Sequence, residues 1–275
     1  MTTRLKKVKL KGNESFNFRE GWLRKGMRCV EDDESLFSRD NVMEQLGVGS
    51  KMVKSIRYWL QATGLCEEQY RNSGRARAQV ITANFGGVIR EKDPYFDDIF
   101  TLFLLHYHIV ANEALCMPWY IFFNEFQMLE FSEDDFYKAI RRYITMQEDE
   151  AMPSSRVISD DFKCIINTYY AGKRYGKESI DPENNIECPL TELGLINYVS
   201  TVQGNRIYRK CTPKIENIPE LIVLYAILKQ TGEQKEIKIS TLQSAENSIG
   251  RIFLLDTLSL LNILYKLESM GFVKV

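Results

Sequence analysis

The sequence is short of the residues from which many metal sites and hydrolytic centres are built. Its 275 residues include only two histidines, His106 and His108, and six cysteines without a C-x-x-C pair. Because residues two apart on a helix point to roughly opposite faces, these histidines cannot bind one metal ion together. A histidine-rich metal site, a zinc knuckle and a Ser-His-Asp triad are therefore disfavoured. We expect at most one histidine to face the core, as a hydrogen-bonded residue and not a catalytic one.

Features of secreted and membrane proteins are also lacking. The cysteines lie far apart, which predicts reduced thiols and a cytoplasmic location. The basic start MTTRLKKVKLKG has no apolar core and therefore predicts no signal peptide. The apolar run from Phe100 to Phe123 contains two histidines, Asn112, Glu113 and Pro118, and is too polar for a bilayer span. It predicts a buried helix and no association with a membrane.

Charge is nearly balanced overall but is unevenly distributed along the chain. The net charge is −1, with 44% hydrophobic and 27% charged residues, which is typical of a globular protein with room for more than one domain. Residues 1–30 carry a net +7 and residues 47–90 a net +5, whereas residues 91–161 carry −10. A polyanion such as DNA would be steered to the first 90 residues. The alternative is that the asymmetry is only a solvated surface.

The stretch from Ser38 to Leu65 predicts two helices joined by the tight turn Gly47-Val48-Gly49. Ser38 is expected to cap the first helix, and Gly64 to end the second in a left-handed conformation. Apolar residues recur at helical spacing in the second helix, which leaves three cations on or near its open side: Lys51, Lys54 and Arg57. This pattern is typical of a helix-turn-helix whose second helix enters the major groove of DNA. The alternative is a helical hairpin inside a larger core.

Two short strands are predicted after these helices. Residues 66–70 and 79–84 flank the polar turn RNSGRAR, which carries Arg75 and Arg77. A hairpin with a basic tip behind a recognition helix is typical of a winged helix, whose tip contacts the phosphate backbone. Such contacts add affinity and salt dependence without adding sequence choice.

Charged residues are mixed with aromatic ones in the segment before the helix-turn-helix. Arg19, Arg24 and Lys25 lie close to Glu14 and Glu20. Arginine suits phosphate oxygens, and a carboxylate could orient it or hold Mg²⁺. We therefore consider Glu14, Arg19, Glu20 and Lys25 as candidate catalytic residues, with Glu14 and Glu20 as candidate metal ligands. The alternative is an amphipathic helix with solvated charges.

The remaining sequence predicts mainly helices. Glu125 lies among aromatic residues and is expected to be paired, protonated or bound to a cation. Ser132 and Asp135 predict a capping box for a helix from residue 133 to about 147. EDEAMPSS, residues 148–155, is typical of a linker. Further helices, a hairpin turned at Gln203-Gly204-Asn205 and a terminal strand at 272–275 are predicted beyond it.

These elements predict a mainly α fold of the α+β class. We expect an N-terminal winged helix-turn-helix over residues 1–92, a central aromatic-rich helical bundle over 93–150, and a C-terminal winged-helix-like unit over 151–275. The last unit lacks concentrated basic charge, so its expected role is packing or partner binding.

Four segments resemble a known bacterial family: GNESFNFREGWLRKG, LGVGSKMVKSIRYWLQATGL, DPYFDDIFTLFLLHYH and WYIFFNEF. A fifth, SIGRIFLL at residues 248–255, is similar to the family's carboxy-terminal motif. On these motifs the chain is identified as a member of the DUF4007 family, which includes SspB-like proteins of a DNA phosphorothioation defence system.

The resemblance implies duplex DNA as substrate, Mg²⁺ as cofactor and DNA nicking as activity. It also implies three partners, namely a cysteine desulfurase, an ATPase and an ATP-pyrophosphatase-like sulfur-transfer protein, and a homodimer is one form the chain could take. The family commonly has histidine where this chain has Asn13. If that histidine is a general base, this chain has lost it; if it only hydrogen-bonds, asparagine can substitute. The alternative function is a non-catalytic winged-helix adaptor or regulator that brings sulfur-transfer proteins to DNA.

Overall fold

The computed structural model describes residues 10–71, 76–146, 152–172 and 188–275. It is mostly helical with two small antiparallel sheets, which confirms the predicted α+β class. The N-terminal elements are α1 (Trp22–Asp32), a 3₁₀ turn (Leu36–Ser38), α2 (Val42–Leu46), α3 (Ser50–Ala62), β1 (Cys66–Arg71), β2 (Ala76–Ile81) and α4 (Gly86–Lys92).

The later elements complete the described chain. The middle contains α5 (Ile99–Ala111), α6 (Glu113–Tyr120), a π-helical turn (Ile121–Glu125), β3 (Glu130–Phe131) and α7 (Glu133–Met146). The last part contains α8 (Ser155–Tyr169), a 3₁₀ turn (Pro189–Leu193), β4 (Ile196–Val202), β5 (Asn205–Lys210), a 3₁₀ turn (Ile215–Asn217), α9 (Glu220–Thr231), α10 (Ile239–Ser244), α11 (Ile249–Ile252) and α12 (Thr257–Ser269).

The two helices predicted around the glycine turn are present. Gly47 ends α2 in the left-handed region, at φ 57°, and α3 begins at Ser50. Gly64 follows α3 with φ 75°, as expected for a left-handed helix terminus. Ser38 is not a helix cap, because it ends the preceding 3₁₀ turn and Asn41 precedes α2 instead.

The hairpin after α3 is also present, although its second strand starts and ends earlier than predicted. β1 and β2 are antiparallel, with Cys66 opposite Ile81 and Arg71 opposite Ala76. The backbone N–H of Gln79 donates to the carbonyl of Glu34 at 2.7 Å, so the segment after α1 lies along the outer edge of β2. The hairpin is thus attached to α1 as well as to α3.

Helix α5 is buried on nearly all sides, as the apolar run predicts. His106 Nε2 lies 2.7 Å from the carbonyl of Ile252, and Nδ1 lies 2.8 Å from the hydroxyl of Tyr169. A carbonyl only accepts, so Nε2 carries the proton and Nδ1 accepts from the tyrosine. Burial lowers the pKa of His106 to about 4, which keeps the ring neutral.

His108 is also largely enclosed, contrary to the expectation that at most one histidine faces the core. It stacks on Phe85 at 4.3 Å and bonds to the hydroxyl of Tyr225 at 3.0 Å. Burial, followed by nearby Lys229, lowers its pKa to about 4. Neighbours of α5 cover two of its faces, which accounts for the second buried histidine.

In the middle of the chain, the capping box before α7 is confirmed and the environment expected for Glu125 is not found. Ser132 and Asp135 bond reciprocally: the serine N–H donates to the carboxylate at 2.9 Å, and the Asp135 N–H donates to the hydroxyl at 3.3 Å. This is the predicted capping box. Glu125 was expected to be paired, protonated or bound to a cation among the aromatic residues. It is instead exposed, because the π-helical turn places it outside the aromatic cluster.

The three-stranded sheet joins the central and C-terminal parts of the sequence. Its order is β3-β5-β4, with Phe131 opposite Tyr208. The β4–β5 hairpin turns at residues 203–204, close to the predicted position. The predicted terminal strand is wrong: after Gly271, at φ 81°, the N–H of Phe272 returns to the carbonyl of Leu267 and closes the end of α12. Whether residues 1–92, 93–150 and 151–275 fold as separate domains stays a prediction.

All six cysteines lie in the described part of the chain. All six cysteines carry free thiols. Within that part of the chain, no single helix is both long and apolar enough to cross a bilayer. Two sharply bent helix pairs, Ile99–Ala111 with Glu113–Glu125 and Ile239–Ile252 with Thr257–Ser269, meet the length and composition requirement only when taken together.

Candidate nucleic-acid interface and adjoining cleft

Helix α3 is buried except for one narrow basic stripe. Lys51 and Lys54 are exposed, whereas most of the remaining side chains of the helix pack into the core. Arg57, one turn further along, forms an ion pair with Glu68 on β1. The three cations therefore lie on or near the open side of the helix, as the apolar spacing predicts. One of them, Arg57, is paired with the hairpin.

The hairpin contributes a second paired arginine. Arg77 is 60% exposed, and its Nε lies 3.9 Å from the carboxylate of Glu68. Glu68 is therefore shared by Arg57 and Arg77 and ties β1, β2 and α3 together. Arg75 lies outside the described residues, so its predicted contact with DNA stays a prediction.

A sharp turn before α1 positions two of the predicted catalytic residues. Gly21 has φ 78° at the start of α1, a conformation that favours glycine. Arg19, just before it, is buried, and its guanidinium carbon lies 5.1 Å from the ring of Trp22 and 5.7 Å from that of Phe16. Glu20 is exposed beside it. The turn thus holds a buried arginine next to a solvent-facing carboxylate.

Arg19 and Glu20 line a cleft of about 270 Å³. The loop before α5 forms another wall and contributes Asp97, while the 3₁₀ turn after residue 188 contributes Glu192. Phe96 in this loop has φ 62°, an uncommon conformation for a non-glycine residue that is found preferentially at functional sites. Three acidic residues and one arginine therefore line the same cleft.

The loop is held in this shape by its own side chains. The carboxylate of Asp93 accepts the backbone N–H of Asp97 at 3.0 Å and that of Asp98 at 3.1 Å. Asp98 in turn caps α5 by accepting from the N–H of Phe100 at 2.9 Å. The backbone of Asp97 is consequently held by the side chain of Asp93.

The structure brings only part of the predicted catalytic set together. Lys25 is exposed on α1, and its Nζ is 3.2 Å from where a Cβ on Gly47 would lie, next to the helix-turn-helix turn. Glu14 is on the segment before α1 and is not among the described residues that line the cleft. Asp97 and Glu192 were not predicted as site residues. Glu192 lies too far from Glu20 in the sequence for any local pattern to connect them.

The carboxylates of the cleft do not form a ready-made metal centre. Among the described residues there is no group of three or more His, Cys, Asp or Glu side chains arranged to hold a metal ion. Mg²⁺, however, commonly keeps several waters and takes only one or two protein carboxylates together with substrate phosphate. The oxygen donors of Glu20, Asp97 and Glu192 are compatible with that kind of binding.

Position 13 lies in the core and is not among the described residues that line this cleft. Asn13 is 1% exposed, and its Nδ2 donates to Cys164 Sγ at 2.9 Å. Its Oδ1 accepts the backbone N–H of Ser15 at 3.2 Å. Burial raises the pKa of the Cys164 thiol. Of the two roles considered for this position, the contacts support hydrogen bonding in the core over a general base.

Beside Asn13, a buried carboxyl gives the fold a testable pH dependence. Burial raises the pKa of Asp161 to about 7, although its Oδ2 accepts the backbone N–H of Lys11 at 3.0 Å. Between about pH 4 and pH 7 the folded protein therefore retains a proton that the unfolded chain has lost, so stability falls as pH rises. We expect Asp161→Asn to flatten this pH dependence. At pH 8 the free energy of unfolding of the variant, measured in urea, should exceed that of the wild type by on the order of 2–4 kcal/mol.

Asp160 provides the matched control for this prediction. Its carboxylate pairs with Lys11 Nζ at 2.8 Å, and the lysine holds its pKa below the usual range. Its contribution is present at neutral pH and is lost on acidification, so Asp160→Asn should be neutral or mildly destabilising at pH 8. An unchanged pH dependence in Asp161→Asn would contradict the assignment of a protonated Asp161.

The family model described as "Protein of unknown function (DUF4007)" matches residues 10–274. The chain belongs to the DUF4007 family. The match extends over nearly the whole sequence, which confirms the family expected from the motifs. A search of curated proteins gives no match to this DUF4007 chain.

Two solved structures share the fold of this DUF4007 protein. One is described as a magnesium ion-bound SspB crystal structure, with a TM-score of 0.84, and the other as an SspB crystal structure, with a TM-score of 0.81. Each is 25% identical in sequence, and each alignment covers 96% of this chain and 78% of the SspB chain. The DUF4007 chain is therefore SspB-like.

Proposed function

We propose that this protein is the DNA-binding component of a bacterial phosphorothioation defence system and nicks duplex DNA so that sulfur can be inserted into the backbone. The SspB-like fold supports the system. The exposed Lys51–Lys54 stripe on α3 is the observation that carries the DNA-binding part of the proposal. Cations on an exposed helix face can neutralise backbone phosphates and position the helix in a groove.

The N-terminal unit is the proposed winged helix. Its element order, with three helices followed by an antiparallel hairpin, supports this assignment, as does the attachment of the hairpin to the chain after α1. In this arrangement α3 is the recognition helix, and Arg77 with Arg75 would lie along the phosphate backbone. Because Arg57 and Arg77 share Glu68, we assign the main sequence-independent contacts to Lys51 and Lys54.

The cleft beside α1 is the proposed site of nicking. Hydrolysis forms one P–O bond from water, which gives up a proton, and breaks one P–O ester bond, whose departing deoxyribose oxygen receives a proton. Mg²⁺, when bound, would stabilise charge on the phosphate, and Glu20 with Asp97 or Glu192 would hold it. The buried guanidinium of Arg19 lies beside Glu20 and would orient it or neutralise a phosphate oxygen.

A non-catalytic adaptor is the second candidate. It is favoured by the lack, among the described residues, of a group of three side chains arranged to hold a metal ion. In that role the protein would bind duplex DNA and bring sulfur-transfer proteins to it in the cytoplasm. The proposed partners in both roles are a cysteine desulfurase, an ATPase and an ATP-pyrophosphatase-like protein, and the protein could act as a homodimer.

The DNA-binding proposal predicts a specific change in salt dependence. In fluorescence anisotropy titrations with labelled duplex DNA, Lys51→Gln and Lys54→Gln should each reduce the slope of log K against log salt by about 0.9. The double variant should lose about twice that, because each lysine releases counterions from a separate phosphate.

Lys163→Gln is the control for these variants. It removes the same charge from an exposed position on α8 and should leave the slope unchanged. Equal effects of all three substitutions would show that the protein responds only to net charge. Undiminished binding by the Lys51→Gln, Lys54→Gln double variant would remove α3 from the DNA interface.

A further inference from the structure

A pocket lined by three arginines lies between α1 and the end of α4, next to the cleft. It has a volume of about 170 Å³, and its walls are Arg24, Met27, Arg28, Arg90, Pro94 and Tyr95. Tyr95 also lines the cleft that contains Glu20 and Asp97, so the two spaces adjoin. Among the described residues, no carboxylate contributes to the wall of the arginine pocket.

We propose that this pocket binds a phosphate group of the DNA backbone and thereby holds a strand beside the Glu20 cleft. The inference rests on the proposed DNA-binding function and extends it to a surface separate from α3. Guanidinium groups present planar N–H donors that match phosphate oxygens, and several of them around one concave space favour a tetrahedral oxyanion.

The size of the pocket supports a phosphate group over a larger ligand. Sites for whole small molecules are usually on the order of 300–1,000 Å³, well above the volume here. A single phosphate of a polynucleotide fits a space of this size while the rest of the strand continues over the surface. The DNA backbone and a free nucleotide both present a phosphate group, so the experiment must distinguish these two sources.

The aromatic ring of Tyr95 restrains the side chain of Arg24. The guanidinium carbon of Arg24 lies 3.9 Å from the centroid of Tyr95, a stacking distance. Stacking uses the face of the guanidinium and leaves the N–H donors in its plane for other partners. It also reduces the conformational freedom that a long side chain loses on binding. Arg24 is therefore arranged to bind an anion at lower entropic cost than a free arginine.

The second arginine is partnered by a carboxylate that a phosphate could replace. Arg90 pairs with Glu31 at 2.6 Å, and both side chains are about half exposed. An exposed pair of this kind contributes only about 0–1 kcal/mol, so exchange of Glu31 for a phosphate costs little. Glu31 consequently competes with the ligand, and its removal should strengthen binding.

The position of the pocket fits a continuous path for a DNA strand. Lys25 lies on the same helix and reaches the Gly47 turn, so α1 carries basic groups from the helix-turn-helix to the pocket. A strand that contacts Lys51 and Lys54 could cross α1 at Lys25 and place a phosphate between Arg28 and Arg90. The acidic side chains of the cleft would then face the adjoining backbone.

Anisotropy titrations of full-length variants with labelled duplex DNA test the proposal. Arg28→Gln and Arg90→Gln should each weaken binding about tenfold, which is the effect of one lost charge-assisted hydrogen bond, and reduce the salt slope by about 0.9. Arg142→Gln is the matched control; it is exposed on α7, which packs on α8 and the π-helical turn. Pocket variants that bind no more weakly than Arg142→Gln would overturn the proposal.

Removal of Glu31, the carboxylate that competes for Arg90, tests the proposal through an expected increase in DNA affinity. Glu31→Gln should tighten DNA binding several-fold more than Asp32→Asn, which removes an equal charge from the next position on α1. Equal gains from the two substitutions would mean that only the general electrostatic field has changed, and would contradict a specific role for Arg90.

Inorganic phosphate tests the pocket independently of duplex binding. The thermal midpoint of the wild type should be higher in phosphate than in chloride of equal ionic strength, and the Arg28→Gln, Arg90→Gln double variant should lose this difference. If wild type does not bind DNA but shows the phosphate effect, the proposed function fails and the anion site stands. An equal phosphate effect in both proteins overturns the site.

The source of the phosphate is decided by competition. ADP and inorganic phosphate are each titrated against the bound duplex. If DNA is the natural ligand, ADP and inorganic phosphate should displace the duplex only at high concentration and with similar midpoints. Much stronger displacement by ADP would assign the pocket to a free nucleotide and overturn the DNA assignment. Loss of binding in the Lys51 and Lys54 variants but not in the pocket variants would leave the proposed function intact and overturn the inference alone.

Discussion

Replacement of Glu20 by glutamine should reduce Mg²⁺-dependent nicking of supercoiled plasmid by at least about 10²-fold while leaving duplex binding nearly unchanged. Glutamine keeps the size of the side chain but removes the charge that would hold a cation or accept a proton. Glu20 is chosen because it is exposed, follows the buried Arg19, and lines the cleft with Asp97 and Glu192. The measurement is the rate of conversion from supercoiled to open-circular DNA.

Two further variants locate the site. Glu44→Gln removes an exposed carboxylate on α2 and should nick at the wild-type rate. Loss of nicking in Glu20→Gln purified in the same way excludes a contaminating nuclease. Glu14→Ala decides the role of the other predicted ligand, because Glu14 does not line the cleft. Unaltered nicking in Glu14→Ala would remove Glu14 from the site. If wild type binds DNA but nicks it under no divalent cation, the adaptor role replaces the nickase.

Replacement of Trp59 by alanine should destabilise the protein by about 3–5 kcal/mol. Trp59 is fully buried, with ring contacts at 5.3 Å to both Phe18 and Trp119. Its Nε1 donates to the carbonyl of Phe16 at 2.8 Å. The residue therefore joins α3 to the segment before α1 and to α6, and truncation would leave a cavity where these elements meet. Urea unfolding followed by circular dichroism measures the change.

The hydrogen bond of Trp59 can be separated from its packing. Trp59→Phe leaves the Phe16 carbonyl without this donor, whereas the Nε1 of Trp119 has no hydrogen-bond partner in the described part of the chain. Trp59→Phe should therefore cost more than Trp119→Phe by about 1 kcal/mol. Equal costs would show that the bond contributes nothing measurable. A Trp59→Ala variant as stable as the wild type would contradict the central position given to this residue.

The local patterns in the sequence were reliable where neighbouring residues decide the structure. The turn at Gly47, the faces of α3 and the Ser132–Asp135 capping box follow from helical spacing and short-range hydrogen bonds. Local patterns failed where a distant partner decides. Residues 272–275 have the composition of a strand but pair with no strand among the described residues, and the chain folds back on α12 instead.

The sequence alone determined the family, the α+β class and the basic open side of α3. Motifs and periodicities of this kind extend over a few helical turns, and the amino-acid order contains them directly. Only the tertiary structure decided that Glu68 engages Arg57 and Arg77, that Asn13 is buried against Cys164, and that Glu20 shares a cleft with Asp97 and Glu192. These contacts join residues that are separate in sequence and meet only because the core packs in one way, so no local pattern specifies them.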